Sequence, residues 1–278
     1  MNKSKEKFKN DRALRFYSEV LGLEKLHYGI WEDSDERNFE GIRKAQQRYE
    51  DFLIDKIEEV FPLTNQTRIL DVGCGTGAMS ENLFKKGYKV EGLSPDLYQK
   101  EEFEKRTPVK FHLARFQNFQ PEHPYEIVLM SESAQYIPLS KLFDKVKQCL
   151  QSKGYLMVCD YFTYNSATGP LAKSGHNLEA FLELAKNSGF KIIKQEDITQ
   201  KTIPTLDAAK IFTDKYVLPA ISIASEKFQE KKPFLFKSVR WIFRKKIAKA
   251  YDNITLLDSS EFAKNKCYMF FLFQVAQP

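Results

Sequence analysis

The sequence predicts an α/β fold on a mainly parallel sheet of seven strands, with a helical cap before it and a helical lid insertion ahead of the last strand. Three observations predict it. Apolar runs of strand length alternate with helical segments from Arg68 to Ile198, the pattern of successive βαβ units. The first run ends in a glycine-rich turn, LDVGCGTG (Leu70–Gly77), that opens a helix. The 278 residues are 42% hydrophobic and 29% charged, as expected of one globular domain carrying an elaborated insertion.

The elements follow in order. Phe8, Leu14, Tyr17 and Leu21 keep a helical period, so Phe8–Leu21 reads as a short amphipathic helix. After the polar stretch HYGIWEDSDE, residues Phe39, Ile42, Tyr49, Leu53, Ile57 and Val60 mark a long amphipathic helix that stops near Pro62. Arg68–Val72 is a first buried strand, and Ala78–Lys86 a helix stopped by Gly87. Tyr88–Leu93, Val109–Leu113 and Tyr125–Ser131 read as strands two to four. Leu139–Gln151 is a helix closed by a Ser-Lys-Gly turn, and Tyr155–Tyr161 is strand five. Asn177 caps a helix that runs to Asn187 and is ended by Gly189; Phe190–Ile198 is strand six and Lys266–Val275 strand seven. The chain thus divides into a helical cap (1–61), a core (62–200), a basic and aromatic helical insertion (201–265) and a final core strand (266–278).

Composition excludes several classes. Cys74, Cys149, Cys159 and Cys267 are scattered, without CxxC pairs or histidines at ligand spacing, which argues against a zinc site or disulfide framework and suits a reducing cytoplasm. No HxxxH pair or carboxylate cluster asks for a metal. MNKSKEKFKNDR lacks the apolar stretch of a secretory signal, and the longest apolar run, Cys267–Phe273, is far shorter than the roughly 18 residues of a membrane helix. A soluble, cytoplasmic protein is expected, with no feature that fixes an oligomeric state. Charge is uneven: Lys201–Ala250 holds 12 Lys and Arg against 4 Asp and Glu, a surplus larger than the net +6 of the whole chain.

Alternate glycines in a strand–loop–helix turn let backbone N–H groups and a helix N-terminus face a ligand without interference from Cβ atoms. A dinucleotide site prefers GxGxxG; here Gly73, Gly75 and Gly77 are spaced GxGxG behind Asp71. An acid at that strand tip repels a pyrophosphate and suits a cationic ligand such as a sulfonium bearing an α-amino group. LDVGCGTG resembles the first motif of the class I S-adenosylmethionine-dependent methyltransferases, a Rossmann-like family, and the resemblance is clear over Arg68–Tyr161. It implies S-adenosylmethionine as cofactor, with Asp71, Gly73 and Gly75 lining its methionine and ribose end and Cys74 and Gly77 in the same loop. In the family an acid closing strand two grips the ribose; here VEGLSPD makes Asp96 the first candidate and Ser94 the second, unless Asp96 only caps the next helix. The adenine region, HLARFQNF, carries Arg115 in place of the family's usual acid, with Phe116 beside it, and Ser131 completes the cofactor set.

Ligands of such sheets lie outside the carboxyl ends of the strands, so the tip of strand four, MSESAQYIP, should face the transferred methyl group. Glu132 is the candidate base or charge stabiliser, with Tyr136 and Gln135 beside the transfer path. LHYGIW (Leu26–Trp31) resembles the loop ahead of the core in small-molecule methyltransferases, which implies Tyr28 and Trp31 over the substrate. His176 is a further candidate base, since its ordinary pKa lies near neutrality. In the insertion, Phe212, Tyr216, Phe234, Trp241 and Phe243 alternate with bases; it reads as a lid, with Trp241 on an apolar substrate, or as a contact with an anionic membrane, while nucleic acid is disfavoured because no RNA-binding motif accompanies the charge. The sequence therefore predicts methyl transfer to a small, hydrophobic or lipid-like acceptor at O, N or C. Two alternatives are an NAD-dependent oxidoreductase, which the GxGxG spacing behind Asp71 disfavours, and a non-catalytic module that binds S-adenosylmethionine or a membrane.

Overall fold

The computed structural model describes residues 15–62 and 66–275. A one-turn π-helix, Phe16–Val20, leads to α1 (Phe39–Val60), β1 (Arg68–Val72), α2 (Ala78–Lys85), β2 (Lys89–Ser94), α3 (Leu97–Arg106), β3 (Lys110–Leu113) and β4 (Tyr125–Ser131). There follow α4 (Leu139–Cys149), β5 (Leu150–Thr163), β6 (His176–Asn177), α5 (Leu178–Asn187) and β7 (Phe190–Asp197). Helices α6 (Thr199–Thr202), α7 (Pro204–Phe212), α8 (Leu218–Lys231), α9 (Pro233–Ile254) and α10 (Ser259–Asn265) then precede β8 (Lys266–Val275). No helix among the described residues is long and apolar enough to cross a membrane.

The strands form one eight-stranded sheet in the order β3-β2-β1-β4-β5-β8-β7, with β6 beside β5. That is one strand more than the sequence suggests, because β6 is only two residues long and carries no readable period. Pairing from β3 through β5 is parallel, and β8 lies antiparallel between β5 and β7. Helix α3, foreseen only as the helix that Asp96 could cap, has no place in the expected order of elements. Its sequence, LYQKEEFEKR, buries only Tyr98 and Phe103, too few to show a stripe. The Ser-Lys-Gly segment expected as a turn lies within β5. The register against β4 shifts between Tyr125 and Ile127, and Lys153 there takes a positive φ of 64°. Half of the expected helix Phe8–Leu21, residues 8–14, lies outside the described residues.

Alternation along the strands divides the core. Leu70 and Val72 of β1 face the side covered by Leu142, Phe143 and Val146 of α4 and Phe181 of α5. Ile69 faces the other side, where Tyr49, Leu53 and Ile57 of α1 and Leu83 of α2 are buried. Helix α1 starts at Asn38, whose side chain accepts the Gly41 N–H. From β1 the chain builds outward through β2 and β3, then crosses back to place β4 on the other side of β1. The reversal opens a crevice at the carboxyl ends of β1 and β4. Because β8 starts opposite Thr163, at the end of β5, its first residues reach the same end of the sheet.

The segment ahead of α1 is pressed against that helix. The Ile30 N–H donates to the Ala45 carbonyl at 2.9 Å, and a Cβ on Gly29 would lie 2.4 Å from Ala45 Cβ and 2.7 Å from the Ala45 backbone carbon. Gly29→Ala should lower stability by about 1–3 kcal/mol through overpacking, read as a reduced urea midpoint with an unchanged slope. Ala45→Gly should not rescue it, since the helix backbone itself is in the way; full rescue would contradict this packing.

Candidate active site

The three glycines after β1 serve different ends. All have positive φ: 77° at Gly73, 54° at Gly75 and 90° at Gly77. A Cβ at Gly73 would lie 2.4 Å from Ser133 Cβ, and one at Gly77 would lie 2.7 Å from the Phe103 ring. These two let the loop pack against the β4 tip and α3. At Gly75 a Cβ would meet nothing within 4 Å; its bare backbone faces a cavity of about 820 Å³, large enough for a nucleoside-sized ligand and a small acceptor.

One wall of that cavity is acidic. Asp71 is 2% exposed and accepts from Ser80 Oγ at 2.6 Å. Burial pushes its carboxyl up to about 6 against the Ser80 hydrogen bond, and the charge of Glu50 adds to the rise. Glu50, from α1, is 1% exposed. Its Oε2 accepts from Lys25 Nζ at 2.6 Å and Asn82 Nδ2 at 2.8 Å. Burial pushes Glu50 up, but His27 and Lys25 outweigh it and hold the carboxyl below its usual value. Its Oε1 has no hydrogen bond and lies 3.5 Å from His27 Nε2, which has none either. His27 Nδ1 sits 2.8 Å from the Tyr28 carbonyl, so that nitrogen carries a proton. A donor on a ligand in the cavity would satisfy the free Glu50 oxygen.

The neighbouring wall comes from β2 and α3. Asp96 caps α3, accepting the Gln99 N–H at 2.9 Å, and also lines the cavity. Ser94 Oγ donates to Gln99 Oε1 at 2.5 Å. Arg115, Phe116 and Gln117 close this end, with Phe116 only 3% exposed and held in the core.

The far end is the tip of β4. Glu132 takes a positive φ of 52°, uncommon for a residue with a Cβ, and its N–H donates to the Cys159 carbonyl at 2.8 Å. Its carboxylate accepts from the Tyr28 N–H at 2.5 Å and from the Tyr268 hydroxyl at 2.6 Å. Burial pushes the Glu132 carboxyl up, and the charge of His27 and those two hydrogen bonds offset only part of the rise. The Tyr268 hydroxyl also lies 3.1 Å from the Tyr49 hydroxyl, which donates to the Cys159 carbonyl at 3.4 Å and stands 3.0 Å from Ser131 Oγ.

Of the residues singled out by sequence, Asp71, Gly73, Cys74, Gly75, Ser94, Asp96, Arg115, Phe116, Ser131, Glu132 and Tyr136 line this cavity. Tyr136 stands at the rim, 77% exposed. Gly77 lies one residue behind it, as the cap of α2. The others stand elsewhere. The Tyr28 ring packs behind Glu132 on Tyr161, Phe262 and Tyr268, so its backbone N–H is what reaches the site. Trp31 is buried, its Nε1 donating to Thr205 Oγ1 at 2.8 Å. The Gln135 N–H donates to Asp160 at 3.2 Å, and His176 Nε2 lies 2.9 Å from the Ala134 carbonyl. Trp241 is exposed on α9 with Arg244 over its ring at 5.0 Å, and among the described residues none of 201–265 lines the cavity. Sequence reading missed Lys25, His27, Glu50, Gln99 and Tyr268. An acid within the buried stripe of α1 and a tyrosine inside the apolar run Cys267–Phe273 were the available signals, because a buried polar group needs a partner.

No cluster of possible metal ligands occurs among the described residues. The bare backbone at Gly75, the two acids and the unsatisfied Glu50 oxygen fit the cationic nucleoside that the glycine motif implies. Because the Asp71 carboxyl is raised from 3.8 to about 6, stability present below pH 3.8 is lost as pH rises through 6. Asp71→Asn should therefore gain stability over the native chain between pH 4 and 7, by up to about 3 kcal/mol. Urea melts at the two pH values measure it, and a pH-independent difference would contradict the buried, unpaired charge.

Comparison with known proteins agrees with this geometry. The methyltransferase-domain family model matches residues 44–195, more than half of the chain. A ubiquinone biosynthesis O-methyltransferase of Hydrogenovibrio crunogenus is 30% identical over 128 residues, 44% of this chain and 50% of that protein. A malonyl-acyl-carrier-protein O-methyltransferase of Ilyobacter polytropus is 26% identical over 175 residues, 60% of this chain and 59% of the relative. The chain thus spans half to three-fifths of the length of these relatives. Among solved structures, a protein assigned as a sarcosine dimethylglycine methyltransferase from Galdieria sulphuraria superposes with a TM-score of 0.73 over 96% of this chain and 99% of its own, at 17% identity. The geranyl diphosphate C-methyltransferase of Streptomyces coelicolor gives 0.66 over 96% and 94%, at 15% identity. Identities this low speak for the fold, while the family match runs through the glycine loop and the β4 tip: the chain belongs to the class I S-adenosylmethionine-dependent methyltransferases.

Proposed function

We propose that this protein transfers a methyl group from S-adenosylmethionine to a small, apolar or lipid-like acceptor at oxygen, nitrogen or carbon. The observation that carries the reading is a single cavity with a bare backbone and two buried acids at one end and the half-buried Glu132, its carboxyl raised by desolvation, at the other. When bound, the cofactor supplies an electrophilic methyl group on a sulfonium. Asp71 and Glu50 hold its cationic amino-acid end, the backbone at Gly73 to Gly75 lies along it, and Ser94, Asp96 and Gln99 are the groups for its ribose hydroxyls. Arg115 and Phe116 flank the adenine end. An acid beside the loop disfavours a nicotinamide dinucleotide, whose pyrophosphate needs the same place.

In-line displacement at a sulfonium needs little covalent help, so holding the acceptor in line supplies most of the rate. Glu132 is the one ionisable group at the acceptor end held by buried donors. Its raised carboxyl makes it a competent base for an acidic O–H or N–H, and a counter-charge for an acceptor that becomes cationic. Tyr136 at the rim guides entry. The relatives named for ubiquinone biosynthesis and malonyl-acyl-carrier protein O-methylation support a small-molecule or carrier-borne acceptor.

The test is release of S-adenosylhomocysteine with a panel of O-, N- and C-nucleophiles. Glu132→Gln should lower turnover by about 10²–10⁴-fold while cofactor affinity stays within about threefold; equal turnover across pH would remove Glu132 from the chemistry. Gly75→Val should abolish cofactor binding. A Cβ there meets no protein atom within 4 Å, so the fold should persist at a strain of about 1–2 kcal/mol. A variant that still binds the cofactor tightly would contradict the assigned cradle.

A further inference from the structure

Helices α8 and α9 stand away from the core. Helix α8 has no buried residue, and Phe228 of α8 meets Phe236 of α9 edge to face at 5.7 Å. Phe236 and Val239 are half-buried against that partner. The opposite face of α9 is bare. At about 100° per residue, Phe234, Leu235, Ser238, Trp241, Ile242 and Lys245 share one arc of it. Phe234 is 85% exposed, Trp241 67% and Ile242 63%, a run of large apolar side chains that a surface helix does not normally show to water. Lys237 and Arg244 border the arc on one edge and Lys246 on the other. From Lys231 to Tyr251 the sequence holds eight bases and no acid.

We propose that this outer face of α9 docks on an anionic lipid bilayer, with Phe234, Leu235, Trp241 and Ile242 entering the interface and the flanking bases meeting lipid phosphates. The chemistry selects the partner. A bilayer surface offers anionic groups and, a few ångströms deeper, apolar chains, which matches an apolar arc edged by bases. A second copy of the chain would bring the same bases against each other. A nucleic acid would pair with the bases but leave Leu235 and Ile242 without an apolar partner. The inference stands independently of methyl transfer.

The full-length chain is tested by co-sedimentation with phosphatidylcholine vesicles, with and without about 30% phosphatidylserine. The chain has two tryptophans, and Trp31 is 6% exposed, so emission changes report Trp241. Anionic vesicles should bind the protein at least about tenfold more than neutral ones, shift Trp241 emission to the blue, and release the protein at ~0.5 M salt. Exchanging Lys237, Arg244, Lys245 and Lys246 for Gln should abolish binding, as should Phe234→Ala with Trp241→Ser. Absence from anionic vesicles at low salt would overturn the proposal. So would undiminished binding by either variant, or concentration-dependent self-association through Trp241 that excludes vesicles.

Discussion

The carboxylate of Glu132 ties together three parts of the chain that are far apart in sequence. It accepts one hydrogen bond from the backbone of Tyr28, ahead of the first helix, and another from the hydroxyl of Tyr268, in the last strand. Its own backbone, at the tip of β4, is fixed by a bond to the Cys159 carbonyl of β5 and by a left-handed conformation. A buried carboxylate is costly unless its oxygens are satisfied, so the N-terminal segment and β8 must both be in place for the β4 tip to take this shape. Fold and site are therefore one cooperative unit. The packing of Gly29 on Ala45 and the pin from Trp31 to Thr205 hold the N-terminal segment in that contact.

At the other end of the cavity the protein keeps charge buried without a full set of partners. Asp71 and Glu50 sit in the same wall, and Glu50 Oε1, 3.5 Å from His27 Nε2, makes no hydrogen bond. Such an arrangement lowers the stability of the free protein and raises the benefit of a cationic ligand, the usual exchange of stability for function at a site. The glycine loop shows the same division. Gly73 and Gly77 are required by neighbours, Ser133 and Phe103, whereas Gly75 is required by the space in front of it.

Much of this was legible in the sequence because it rests on strong local signals. Strand β4 and the final strand fall where apolar runs place them, and the helix beginning at Phe39 follows its stripe. The glycine loop with its preceding acid pointed to the cavity, and the strand-four tip pointed to Glu132. What was not legible depends on tertiary distance. Nothing local says that Glu50 on α1 approaches Asp71, or that the hydroxyl of Tyr268 reaches Glu132 across 136 residues of chain. Aromatic content misled in the other direction: Tyr28, Trp31 and Trp241 read as substrate contacts, yet the first two are core packing and the third faces solvent. Helix α3 was legible only through its cap, Asp96, because a helix with two buried side chains shows no period.

The central claim is that this crevice is shaped for a cationic sulfonium nucleoside rather than for a pyrophosphate. The most direct measurement is isothermal titration of the purified chain with S-adenosylmethionine and, separately, with NAD. The account predicts saturable one-to-one binding of S-adenosylmethionine, weakening as pH falls below about 6 and Asp71 takes up its proton, with no heat from NAD. Tight binding of NAD with no response to S-adenosylmethionine would contradict it.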